Sequence, residues 1–294
     1  MQPKRFFRVS VPLLLVLSSL LTAASVLAEE SNNLTAQQVI DRIKAHTGGS
    51  WSVDTVDTFK AGDPRTRVTG IVTTFAATFD VLQRAAASGK NLIITHEPTF
   101  YSHLDETKQL TSDPVFQAKL AFIQEHHMVV WRFHDHWHSP AMTRDGIMQG
   151  LVTALGWEKY QDPGNQALFT FPESDLSAFA AGIKTRLNIR NMRTIGDPTQ
   201  KVQHVFFLPG AAGAARQIKA LELSNVDVLV VGESREWETV EYARDAMNQH
   251  KPKGLVILGH VVSEESGMIY CAAWLKTFVK EVPVEFIPAG EPFL

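Results

Sequence analysis

Short apolar runs recur along the chain and are separated by stretches with helical spacing: "NLIIT" (91–95), "MVVWRF" (128–133), "HVFFLPG" (204–210), "VDVLVVGES" (226–234) and "GLVILGH" (254–260). A run of this length without polar alternation reads as a strand covered on both faces, which is the condition of a parallel sheet flanked by helices. The intervening segments supply those helices. "TFDVLQRAAASGK" follows the strand-like "RVTGIVTTF", "DPVFQAKLAFIQEHH" precedes "MVVWRF", and "DGIMQGLVTALG" follows it. Gly89 and Gly156 stand where a helix would stop. "AARQIKALELS" and "WETVEYARDAMNQH" repeat the pattern beyond the turn-rich "QDPGN" at 161–165. The chain is therefore expected to be α/β, with two similar lobes, roughly 35–160 and 165–294, and mainly parallel or mixed sheets around a shared cleft. "TAQQVIDRIKAHT" (35–47), apolar at Val39, Ile40 and Ile43, opens the first lobe as an amphipathic helix.

The first 28 residues stand apart from this pattern. Lys4, Arg5 and Arg8 precede an apolar stretch that ends in Val26-Leu27-Ala28, followed by the polar "EESNN". This is the layout of a secretory signal peptide with cleavage after Ala28, leaving 29–294 as the mature chain; an uncleaved anchor is the alternative. The expected location is periplasmic or secreted. Loss of the three cations takes the formal net charge from -3 to -6. No basic run or interleaving of aromatic and basic residues exists to bind nucleic acid, and the apolar leader is short for a stable membrane span. Cys271 is the sole cysteine. It excludes an intrachain disulfide, and its setting, "MIYCAAWLKTF", marks a packing residue.

Three polar clusters each follow an apolar run directly: "THEPTFYSH" (95–103), "HDHWH" (134–138) and "GHVVSEE" (259–265). Loops beyond the carboxyl ends of parallel strands are where an α/β protein builds chemistry, so the three can converge. His260 and Glu264 share one face of a helical turn, and with no thiolate nearby the pair suits zinc, manganese, iron or nickel. His96 and Glu97, being adjacent, would serve two different ions unless Pro98 turns the chain so that both reach one. If 134–138 is extended, His134, His136 and His138 all lie on one side. The segment falls short of the H-x-H-x-D-H of metallo-β-lactamase-like hydrolases, because Trp137 stands where the aspartate belongs.

In order and spacing, "NLIITHEPTFY", "HDHWH", "VVGES" and "GHVVSEESG" resemble the Nif-three-like dinuclear metal-centre family, known also as GTP cyclohydrolase I type 2, over roughly residues 35–294. The resemblance implies a metal set of His96, Glu97, His138, His260 and Glu264 holding two divalent ions. Glu97 takes the place of the family's second histidine and His138 that of its aspartate, so the formal charge of the set is kept. Gly232-Glu233 matches a further family element. The resemblance also implies two α/β lobes and a homo-oligomer, often a toroidal hexamer.

A dinuclear pair would lower the pKa of a shared water and polarise a scissile bond. The expected function is therefore a metal-dependent hydrolase acting on a small extracytoplasmic substrate, with His103, His134, His136 or Glu233 orienting it or relaying protons. The family name points to GTP, which an exported chain would rarely meet. The alternatives are a non-catalytic metal-binding or metal-delivery protein, and a partner-binding platform. The glycine-rich "PGAAGAARQ" (209–217) lacks the lysine of a phosphate loop and reads as a packed turn.

Overall fold

The computed structural model describes residues 34–139 and 144–293; the leader expected at 1–28 lies outside them. Among the described residues no helix is long and apolar enough to cross a membrane.

The apolar runs form two five-stranded sheets. The first contains β1 (Phe59–Ala61), β2 (Ile71–Thr74), β3 (Leu92–Thr95) and β4 (Val129–Arg132), and β10 (Val284–Phe286) completes it in the order β1-β4-β3-β2-β10. All of these pairings are parallel except that of β1, an antiparallel edge. The second sheet contains β5 (Leu168–Asp175), β6 (Arg193–Ile195), β7 (Lys201–Leu208), β8 (Val228–Val231) and β9 (Gly254–Ile257), in the order β5-β7-β8-β9-β6. Its three central strands are parallel and both edges antiparallel. Strands β2, β3, β4, β8 and β9 are buried at every residue, as their unbroken apolar runs require. β10 comes from the segment expected in the second lobe, yet it pairs with β2 of the first sheet.

The helices are α1 (Ala36–Thr47), α2 (Phe79–Ala87), α3 (Pro114–Glu125), α4 (Gly146–Leu155), α5 (Leu176–Arg186), α6 (Ala214–Glu222), α7 (Glu241–Asn248) and α8 (His260–Leu275). Their starts follow from side-chain caps: Thr35, Thr78, Asp113 and Asp145 each accept an amide of the first turn of α1, α2, α3 and α4. Gly156 closes α4 in the left-handed conformation.

α4 and α8 join the lobes. α8 starts at the end of β9 in the second sheet, while its Met268, Cys271 and Leu275 pack into the core of the first. α4 contributes Ile147 to that core and Met148, Leu151 and Leu155 to the core of the second sheet. The two helices touch through backbone: a Cβ on Gly150 would stand 2.3 Å from the Ser266 carbonyl, and one on Gly267 2.6 Å from the Ile147 Cα. Only glycine permits that approach. It sets the carboxyl ends of β3 and β4 opposite that of β9.

Candidate metal centre

Each of the three polar clusters leaves the carboxyl end of a parallel strand. His96 follows β3 directly, "HDHWH" begins two residues past β4, and His260 opens α8 after β9. Glu264 lies one turn further along α8 and is buried, as is His96. The segment 134–138 is a helical turn rather than an extended strand, with the Trp137 and His138 amides both donating to the His134 carbonyl. Its repeat of nearly four residues brings His134 and His138 to one side and sends His136 away. The Asp57 carboxylate holds this turn by accepting the backbone amides of His134, Asp135 and His136.

The donors converge closely. His96 Nε2 is 3.2 Å from His138 Nε2 and 3.3 Å from Glu264 Oε2. His260 Nε2 is 3.0 Å from Glu264 Oε2 and 3.3 Å from Glu97 Oε1, and His134 Nε2 is 3.7 Å from the same Glu97 oxygen. Within each of two groups, His96–His134–His138 and His96–Glu97–Glu264, the candidate ligand atoms all lie within 4.8 Å of one another.

Behind each ring stands an acceptor. His96 Nδ1 meets the Phe133 carbonyl at 3.1 Å, His134 Nδ1 meets Asp135 at 2.9 Å, His138 Nδ1 meets Asp145 at 2.8 Å and His260 Nδ1 meets Glu233 at 3.0 Å. An acceptor at Nδ1 keeps the proton there and turns the Nε2 lone pair inward, as second-shell acceptors do for metal-bound histidines. The Nε2 atoms of His96 and His138 therefore face each other at 3.2 Å, a contact that needs either a shared proton or a metal cation between them. Their separation also matches the edge of a tetrahedron whose bonds are those of zinc to imidazole, ~3.3 Å. The donor set fits divalent metal.

The electrostatics favour the same occupant. Burial opposes a charge on His260, but Glu233, Glu264 and Glu97 outweigh it and push the imidazole up to about 12. Burial likewise works against Glu264 and Glu97, yet His96 and His260 hold both below the usual carboxylate range. His138 is raised, since Asp145 outweighs its burial, whereas burial with His96 and His138 alongside brings His134 down to about 4. The carboxylates thus remain ionised and His134 neutral, the ligating forms of both, while the protons held by His138 and His260 supply the positive charge that a bound metal would replace. Arg132 underpins the cluster from inside the protein. Its fully buried guanidinium donates to the His96 carbonyl at 3.0 Å, to Glu97 Oε2 at 3.1 Å and to the His103 carbonyl.

All five ligands expected from sequence, His96, Glu97, His138, His260 and Glu264, meet here. His134, expected as an orienting group, stands among them as a sixth donor, and Glu233 anchors His260. His103 lies at the exposed rim, its ring 6.2 Å from that of His134. His136 is elsewhere: it pairs with Asp57 at 2.7 Å, accepts the Ser52 amide and stacks on Trp51 at 3.6 Å, which makes it a packing residue of the turn. Sequence reasoning passed over Asp57, Arg132 and Asp145. Of these only Asp145, seven residues from His138 and at a helix start, carried a local signal.

A cavity of about 670 Å³ opens on the His260 and Glu233 side and is walled by Phe75, Arg193, Arg235 and Phe293. The glycine-rich segment borders both cavity and centre: Gly213 lies on the cavity wall, and Gly210, at φ +64°, presses its backbone against Glu264.

Two linked α/β lobes with His and Glu donors gathered between strand ends define a metal-binding α/β protein. The chain belongs to the Duf34/NIF3 (NGG1p interacting factor 3) family, whose profile matches residues 32–292. It is 24% identical over 246 residues to the GTP cyclohydrolase 1 type 2 homolog of Clostridium perfringens, covering 78% of this chain and 86% of that one. Among solved structures, a Bacillus cereus protein related to NIF3 superposes with a TM-score of 0.70 at 15% identity, over 89% of this chain and 99% of that one. A Staphylococcus aureus protein does so with 0.67 at 18% identity and the same coverages. At these identities the superpositions establish the fold.

Proposed function

We propose that the chain is a metal-dependent hydrolase with a dinuclear centre held by His96, His134, His138, Glu97, His260 and Glu264. The observation that carries this reading is the placement of one donor, His260, together with its anchor Glu233, on the wall of the cavity of about 670 Å³. A delivery or storage cage needs ligands, but a wall of mixed polar and apolar residues beside them is what a small organic substrate requires. Two divalent ions at such a centre supply an acidified water and polarise a scissile bond. This chain's residues do the rest. Glu233 and Asp145 fix the orientation of His260 and His138, Arg132 fixes Glu97, and Phe75 sets an apolar ring edge-on to His260 on the cavity wall. The Glu233 carboxylate, more than half exposed and on the cavity side, is placed to take a proton from a bound molecule.

Two features narrow the substrate. The leader-like segment 1–28 supports an exported, periplasmic or secreted protein, and there a cyclic amide, a phosphoester or a similar small compound is within reach. The name of the Clostridium perfringens relative makes GTP ring opening one member of the panel to be assayed. A homo-oligomer, such as a hexamer, would close the centre further from solvent.

The test is metal content per chain after purification without added metal or chelator, followed by assay of that panel. Two ions per chain, and a hydrolysis lost in both His96→Ala and Glu233→Gln, are expected. Two ions with no turnover on any panel member would favour a delivery protein instead.

A further inference from the structure

The six donors are not equivalent, and their grouping carries chemical information. A histidine nitrogen has one lone pair, so His96 can ligate only one ion. His134 and His138 need it to complete a group of three, and all three atoms lie within 4.8 Å of one another. Glu97 and Glu264 already have an imidazole of their own, since His260 Nε2 lies 3.3 Å from the first and 3.0 Å from the second. The set therefore divides into a group of three imidazoles and a group of two carboxylates with one imidazole. Each group has its own anchoring. Asp135, Asp145 and the Phe133 carbonyl stand behind the imidazole group, while Arg132 and Glu233 hold the carboxylate group.

We infer that the centre comprises two unlike metal sites, an all-imidazole site at His96–His134–His138 for a borderline ion such as Zn²⁺, and a carboxylate site at Glu97–Glu264–His260 for a harder ion such as Mn²⁺. This rests on the dinuclear reading above and goes further, because a dinuclear centre need not discriminate between its halves. Three imidazoles match the ligand type and number of open zinc sites. Two carboxylates place a formal charge of minus two on the other site and supply the hard oxygen donors preferred by manganese, whose affinity for nitrogen donors is low among the divalent series. Glu264 Oε2, 3.3 Å from His96 Nε2 and 3.0 Å from His260 Nε2, lies on the boundary and can join both ions.

The experiment loads the metal-stripped full chain with one equivalent of Zn²⁺ and an excess of Mn²⁺, removes unbound metal by gel filtration, and counts both metals per chain. One zinc and one manganese are expected. His138→Ala should cut zinc retention by about tenfold or more and spare manganese, and Glu97→Gln should do the reverse. The double exchange Glu97→His with His138→Glu, which keeps the donors but gives each site one carboxylate, should abolish the sorting. Because a variant can fail to fold, the wild type is also read by Mn²⁺ electron paramagnetic resonance: the six-line spectrum of an isolated ion is expected. A spin-coupled manganese pair, or variants that lose both metals alike, would overturn the inference while leaving a dinuclear centre in place. A chain that retains neither metal would overturn both.

Discussion

Asp57 and His134 lie 77 positions apart in the chain and are joined by a 2.6 Å hydrogen bond from the His134 amide to Asp57 Oδ1. The same carboxylate accepts the amides of Asp135 and His136 and the His136 ring. One buried side chain from the loop before β1 thus fixes the turn on which two metal donors ride. Asp57→Ala should leave those buried donors unmatched and cost roughly 3–5 kcal/mol in denaturant unfolding. Metal affinity should fall by about 10–100-fold, since His134 and His138 lose their common mount. Asp57→Asn, which keeps one acceptor oxygen, should recover part of both losses. A variant that unfolds more easily yet binds metal as tightly as wild type would show that the turn holds without it.

Asp145 separates two roles within one carboxylate. Oδ1 caps α4 by accepting the Met148 amide, and Oδ2 holds His138 Nδ1. Asparagine caps helices as well as aspartate does. Asp145→Asn should therefore change unfolding stability by less than about 1 kcal/mol and still weaken metal binding by about 10–100-fold, because an amide nitrogen cannot accept the imidazole proton. Calorimetric metal titration beside a urea melt separates the two effects.

Which of these features a sequence displays depends on where the selecting force lies. β2, β3, β4, β8 and β9 are legible because burial on both faces demands an uninterrupted apolar run. β6 ("RTI") and β10 ("VEF") are short strands at sheet edges, partly solvated, and so carry no such run. The return of β10 to the first sheet is set by tertiary packing of α8, which no local pattern encodes. At the centre, the four-residue spacing that paired His260 with Glu264 also pairs His134 with His138. Alternation concealed that pairing, since three histidines at every second position match a strand as well as a turn. The chain does turn there because Asp57 collects three successive amides, and a carboxylate so distant in sequence leaves no mark beside the histidines it positions.

Gly210 touches the centre through its backbone. Its φ of +64° is left-handed, and a Cβ there would stand 2.1 Å from Glu264 Oε1 and 3.2 Å from His260 Nε2. Gly210→Ala should cost about 1 kcal/mol for the backbone alone. The larger effect should be on metal, because Glu264 must leave the position from which it reaches His96 and His260. Metal stoichiometry in this variant should drop below that of the wild type although no ligand has been altered. Unchanged stoichiometry and affinity would mean that Glu264 has freedom to shift without loss of function.

Lys119 offers a pH test on a group that is not itself a metal donor. Its side chain is buried on α3 and donates to the Thr99 carbonyl at 2.6 Å, and burial, only partly offset by Asp105, lowers the amine from 10.5 to about 8. Below pH 8 both folded and unfolded chains carry the charge, so stability has no slope from this group. Between about 8 and 10.5 the unfolded chain still binds the proton that the folded chain has released, and stability must rise with pH. The rise should approach ~3 kcal/mol across the window at 1.36 kcal/mol per pH unit. Lys119→Met removes the titration, so the difference in unfolding free energy, wild type minus variant, should be flat below pH 8 and climb above it. A difference that stays constant to pH 10.5 would show that the amine keeps its ordinary affinity for the proton inside the fold.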